Sequence, residues 1–127
     1  MSGEARLIPV GFYSDIEFGR SGQPALYDSI LKPNPNKGRI LGYLRASYMI
    51  LVGGMGMRDE LSPDREFVDA FKLMTDGVWI WPSSYPHYVE HYDVEIPPLL
   101  AELAASRNWE PPTFHEEEFE DRMPFSD

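Results

Sequence analysis

The hydrophobic positions of this chain fall into short runs separated by prolines and glycines. Leu7 to Phe12 is apolar and predicts a strand, with Pro9 marking an edge position because proline donates nothing to a ladder. Asp15-Ile16-Glu17-Phe18 alternates polar and apolar, and Gly19-Arg20-Ser21-Gly22 reads as a loop. Pro24 suits the first turn of a helix, where a missing N–H costs no hydrogen bond. Leu26, Tyr27, Ile30 and Leu31 then follow at helical spacing until Lys32-Pro33-Asn34-Pro35-Asn36 ends the run.

A second helix is predicted over residues 37–46, with Asn36 as its cap and Ile40, Leu41 and Leu44 as its apolar face. Ser47 to Val52 reads as a buried strand, and Gly53-Gly54-Met55-Gly56 interrupts or bends it. Asp59 to Arg65 is a polar loop. Phe67 to Met74 and Val78 to Trp81 read as two strands joined by a hairpin at Thr75-Asp76-Gly77, since Asp-Gly tolerates positive φ. Ser83 or Ser84 caps a third helix whose Tyr85, Tyr88, Val89 and Tyr92 form one stripe. Asp93 to Pro98 is extended, and Leu99, Leu100 and Leu103 mark a fourth helix that frays near Arg107-Asn108. No internal repeat is present. The pattern predicts an α+β fold: a small antiparallel sheet of about three to four strands packed against about four helices.

Length and charge narrow the picture. A chain of 127 residues suits a single domain, expected over residues 1–110. The formal charge is -10, and residues 108–127 hold seven of the 21 acidic residues but one of the 11 basic ones. A surface of that sign repels phosphate backbones and argues against nucleic acid. The segment 111–127 is expected to be an acidic tail carrying Glu116, Glu117, Glu118, Phe119, Glu120 and Asp121. It serves either to solubilise the chain or to dock on a basic partner, with Phe114, Phe119 and Phe125 as apolar anchors. The absence of cysteine excludes a disulfide framework, a thiol nucleophile and a thiolate zinc site. No signal-peptide core follows Met1, and the longest apolar-rich stretch, Tyr48 to Met57, is too short to span a bilayer. A cytoplasmic location and no membrane partner are therefore expected.

Few motifs carry chemistry. His87-Tyr88-Val89-Glu90-His91 has the letters of an H-x-x-E-H metal helix, with both histidines on one helical face. A third ligand and a substrate cleft are lacking in the motif, so a solvated helix face is the simpler expectation, and no metal or other cofactor is predicted. Gly53 to Gly56 fails the dinucleotide spacing and lacks the lysine of a P-loop. Asp15 and Glu17 would share a strand face, which is common on solvated strands. No Gly-x-Ser-x-Gly elbow occurs. Trp79 and Trp81 lie on one side of their strand and Val78 and Ile80 on the other. That strand is either covered on both faces or shows its rings to a partner.

Thr75-Asp76-Gly77-Val78-Trp79-Ile80-Trp81-Pro82, then His87-Tyr88-Val89-Glu90, then Tyr92-Asp93-Val94-Glu95-Ile96-Pro97, resembles a pattern in small acidic bacterial immunity proteins of polymorphic toxin systems. Gln23-Pro24-Ala25-Leu26-Tyr27-Asp28 and Arg39-Ile40-Leu41-Gly42-Tyr43-Leu44 resemble the front half of that group. The likeness spans roughly residues 10–100 and leaves out the acidic tail. It implies a non-enzymatic cytoplasmic protein that binds a cognate toxin, or another basic protein, and blocks it. It supplies no catalytic residues. The contact regions expected on this reading are Asp59 and Glu60, the helix face of His87, Glu90 and His91, and the acidic tail. The alternatives are a small regulatory protein-binding module using the Trp79 and Trp81 face, and a metal-dependent enzyme centred on His87 and His91.

Overall fold

A computed structural model describes residues 6–17, 19–115, 119 and 121–124. In chain order the elements are β1 (Ile8–Pro9), a 3-10 turn (Leu26–Asp28), α1 (Lys37–Ala46), β2 (Tyr48–Arg58), β3 (Phe67–Thr75), β4 (Trp79–Pro82), α2 (Ser84–Tyr92) and α3 (Pro98–Ser106). The strands form one sheet in the order β1-β4-β3-β2. The fold is α+β, with three α-helices among the described residues.

Two expectations need correction. The sheet is mixed, because β1 pairs parallel with β4 while β2–β3 and β3–β4 are antiparallel. Ile8 and Val10 donate to the Val78 and Ile80 carbonyls at 2.8 and 2.9 Å. Pro9 falls between these donors, so its missing N–H faces away from β4, as an edge strand requires. The second correction concerns the helix expected after Pro24, which reduces to a single 3-10 turn. The Leu26 amide is capped by the Asp15 carboxylate at 2.7 Å. Beyond it, Leu31 and Lys32 donate to the Tyr92 and Asp93 carbonyls, and the Ser29 carbonyl accepts from Glu95. Backbone groups that a helix would pair internally are thus taken by the segment after α2.

Directly opposed residues share a face, so the sheet has two distinct sides. Trp79 and Trp81 point towards Ile40, Leu41 and Leu44 of α1, Tyr85, Tyr88 and Val89 of α2, and Leu100 and Ala104 of α3. Ile80 points the other way, into a smaller cluster with Leu7, Phe12 and Phe119. Strand β4 is apolar on both faces because it is covered twice. Both tryptophans are core residues, which removes the display of these rings to a partner.

The second cluster also changes the picture of the chain's end. Phe119 is 1% exposed, so it is a core residue of its own chain and not an anchor offered outward. Leu7 donates to the Arg122 carbonyl at 2.8 Å, and the Arg122 guanidinium donates to the Gly77 carbonyl at 2.6 Å. Phe114 packs on the same cluster. Asp121 is exposed. Glu116, Glu117, Glu118, Glu120 and Phe125 lie outside the described residues.

Strand β2 runs through its glycines without ending. Between Val52 and Gly56, the three residues Gly53-Gly54-Met55 oppose Phe71 alone, a bulge that bends the strand. Gly56 lets the Phe67 ring lie close over β2: a Cβ there would come 2.7 Å from the ring, which would have to move aside. No helix among the described residues is long and apolar enough to cross a membrane.

Candidate functional site

The fold brings together two regions that lie far apart in sequence. The tyrosine stripe of α2 turns Tyr85, Tyr88 and Val89 onto the sheet, which leaves His87, Glu90 and His91 on the flank and outer face. The β2–β3 loop, starting at Asp59, passes along that flank. His87 Nε2 donates to Asp59 Oδ2 at 2.6 Å, and the Tyr92 hydroxyl donates to the same oxygen at 2.9 Å. An ionised carboxylate only accepts, so the proton of this pair sits on Nε2. Asp59 Oδ1 accepts from the Leu61 and Ser62 amides at 2.8 and 3.0 Å, closing an Asx-type turn. Tyr88 locks the next residue: its hydroxyl accepts from the Glu60 amide and donates to the Arg58 carbonyl.

These contacts border an open cleft of about 350 Å³, lined by Asp59, Ser62, Glu66, His87, His91 and Tyr92 among others. The His87 and His91 rings lie 4.6 Å apart, tilted by 42°, as expected for side chains one helical turn apart. Among the described residues, no group of three or more His, Asp or Glu side chains is disposed to hold a metal ion. Glu60 pairs with Arg65 at 3.0 Å and Glu90 with Arg45 at 2.7 Å. Of the expected contact residues, Asp59, Glu60, His87, Glu90 and His91 therefore belong to one region. Asp59 differs from its neighbours in being only 4% exposed, since its carboxylate organises the loop.

Burial raises the Asp59 carboxyl, but the hydrogen bonds from His87, the Leu61 amide and Tyr92 outweigh it. The net effect holds the group below its ordinary value of 3.8. Burial and the Asp59 carboxylate push Tyr92 up, and burial pushes Tyr88 up to about 12, so both stay protonated donors. Glu90 is lowered by its bond to Arg45.

A folded carboxyl with a depressed pKa stabilises the fold above the unfolded value and loses that contribution as pH falls through the folded one. Asp59→Asn should therefore cost about 1–3 kcal/mol near neutral pH, because the charge-assisted bonds weaken. The gap to wild type should narrow on acidification below about pH 4. Urea melts at a series of pH values check this; a gap that stays constant into strong acid means that Asp59 ionisation does not support the loop.

The sequence reading missed Tyr92, Tyr88 and Ser62 as parts of this site. Helical spacing marks the tyrosines only as an apolar stripe, yet each carries a hydroxyl that seeks a partner wherever the ring is partly buried. The other sequence candidates separate. Asp15 caps the 3-10 turn, and residues 14–17 form turns and not a strand, so the shared strand face expected for Asp15 and Glu17 does not form. The glycines of β2 lie within an edge strand. No family model matches the chain, and neither does any curated protein or solved structure.

Proposed function

We propose that this chain is a non-enzymatic cytoplasmic immunity protein that binds and neutralises a basic toxin domain. The observation that carries this reading is a concentration of exposed apolar side chains beside acidic ones. Met49, Leu51, Val52 and Met55 of β2 and Phe67 of β3 are between 43% and 60% exposed along this edge of the sheet, with Met49 on the face of Met74 and Leu51 on the opposite face with Leu73. An apolar group of this kind with a polar border has the composition of a protein interface. The border here is the segment joining β2 to β3, where Asp64 and Glu66 are exposed. The motif resemblance supports the same reading, and a charge of -10 favours rapid capture of a positive partner.

The test is co-expression with the product of the gene immediately upstream. The expected result is relief of that product's toxicity and a complex whose association slows as salt is added. If the two purified proteins ignore each other at low salt, the reading fails.

A further inference from the structure

We infer that the outer edge of β2 takes up an extended segment of the basic partner as a fifth strand, an inference that rests on the immunity reading. Among the described residues β2 is the outermost strand on its side of the sheet, so one row of its backbone N–H and C=O groups has no described strand beside it. It is 11 residues long, and no charged residue occurs from Tyr48 through Met57. Natural edge strands usually carry a lysine, a proline or an inward charge to block pairing. This one carries none of these residues before Arg58; its bulge at Gly53 to Met55 bends the edge locally, and Val52 and Met55, at 55% and 60% exposure, leave it open to apolar contact. Strand addition uses such an edge: main-chain bonds supply affinity, and alternate side chains supply selectivity.

The same features choose between occupants. The opposite edge of the sheet, β1, is only Ile8–Pro9, so copies of this chain cannot continue a ladder edge to edge. Pairing two copies would also bring two chains of charge -10 together. At the end of the strand, Asp64 and Glu66 are exposed and have no ion pair among the described residues. Arg58 is already placed over the Phe67 ring at 5.8 Å. A segment with apolar residues at alternate positions and lysine or arginine between or beside them matches this edge.

The probe is a short peptide of alternating lysine and valine. Its controls are the same peptide N-methylated at alternate backbone amides, with side chains and charge unchanged, and an alternating glutamate–valine peptide. Binding of the lysine peptide should slow amide hydrogen exchange along Met49 to Met55. N-methylation should weaken it about tenfold or more, as expected for the loss of two or more backbone bonds. Val52→Lys with Met55→Lys, both at exposed positions, should weaken it similarly while the circular dichroism spectrum is retained.

Equal affinity of the N-methylated peptide, or no slowing in β2 at millimolar peptide, would overturn the inference. So would light scattering that shows a dimer whose β2 amides are already protected, which assigns the edge to a second copy. If the double lysine variant neutralises the toxin as well as wild type does, the edge assignment falls and the immunity reading stands. If wild type fails to bind the toxin, the immunity reading falls, while exchange protection by the peptide still reports on the edge.

Discussion

Asp76→Ala is expected to destabilise the fold by about 3–5 kcal/mol, the loss typical of removing one partner from a buried charged network. Asp76 sits in the β3–β4 hairpin turn and is completely buried. One carboxylate oxygen accepts from the Val78 and Trp79 amides at 3.0 and 2.7 Å, which shapes the turn. The other accepts from the Tyr43 hydroxyl of α1 at 2.6 Å. Arg107, just beyond α3, donates to that hydroxyl at 2.9 Å and to the Asp76 carbonyl at 2.6 Å. Its guanidinium also lies 3.9 Å from the carboxylate. Alanine leaves two amides and a hydroxyl without their acceptor, and takes the nearby carboxylate charge from Arg107, which keeps its bonds to the Tyr43 hydroxyl and the residue 76 carbonyl. Asparagine keeps one oxygen for the amides and turns an NH2 towards Tyr43, so Asp76→Asn should fall between alanine and wild type. Chemical denaturation measures both. A loss below about 1 kcal/mol for alanine, the size of one ordinary hydrogen bond, would mean that the turn holds together without this hub.

Trp81→Ala should cost a comparable amount, about 3–5 kcal/mol, through lost burial and the cavity left behind. Trp81 is 0% exposed and is the largest of the fully buried side chains. It projects from the central strand β4 against the helical layer. Its indole Nε1 has no hydrogen-bond partner among the described residues. That orphan donor makes a second substitution informative. Trp81→Phe shrinks the ring but also removes a buried unsatisfied N–H, which by itself costs about 1–3 kcal/mol. Phenylalanine should therefore lose well under half of what alanine loses. Equal losses would show that the indole nitrogen contributes a favourable bond.

The two substitutions probe parts of the fold with different legibility. Asp76-Gly77 announces a hairpin through local chemistry, and the structure places it there, with Gly77 at a φ of 95°. The role of the Asp76-Gly77 turn as the meeting point of α1, the residue after α3 and the C-terminal segment has no local signal. Tyr43, Arg107 and Arg122 reach the turn from 33, 31 and 45 residues away. The same contrast holds at the candidate site. Asp59 and Glu60 stood out as an acidic loop, and His87, Glu90 and His91 as a helix face, because composition and i, i+4 spacing are readable one segment at a time. That Asp59 and His87 share a hydrogen bond depends on where the β2–β3 loop runs over α2.

Misreadings follow the same rule. Leu26, Tyr27, Ile30 and Leu31 have helical spacing, yet Tyr27 and Leu31 are 66% and 74% exposed and only a 3-10 turn over Leu26–Asp28 forms there. Periodicity assumes that the backbone bonds within its own segment, and here residues 92–95 compete successfully for those bonds. Phe119 looked like part of a charged tail because its neighbours are glutamates, whereas burial depends on the apolar face that Ile80, Leu7 and Phe12 leave open.

What the sequence by itself determined is every feature set by neighbours within about one helical turn or one strand pair. These are the α1, α2 and α3 periodicities, the β3–β4 hairpin, the glycine bend in β2, the two-sided apolar character of Trp79 to Trp81 and the negative charge. What only the tertiary structure decided is which distant partners complete them: the parallel pairing of β1 with β4, the docking of Phe119 under the sheet, and the contact of Asp59 with His87 and Tyr92. The division is physical. Local conformation is governed by sterics and hydrogen bonds along a few residues, whereas long-range pairing depends on which assembly covers the most apolar surface while leaving the fewest polar groups unmatched.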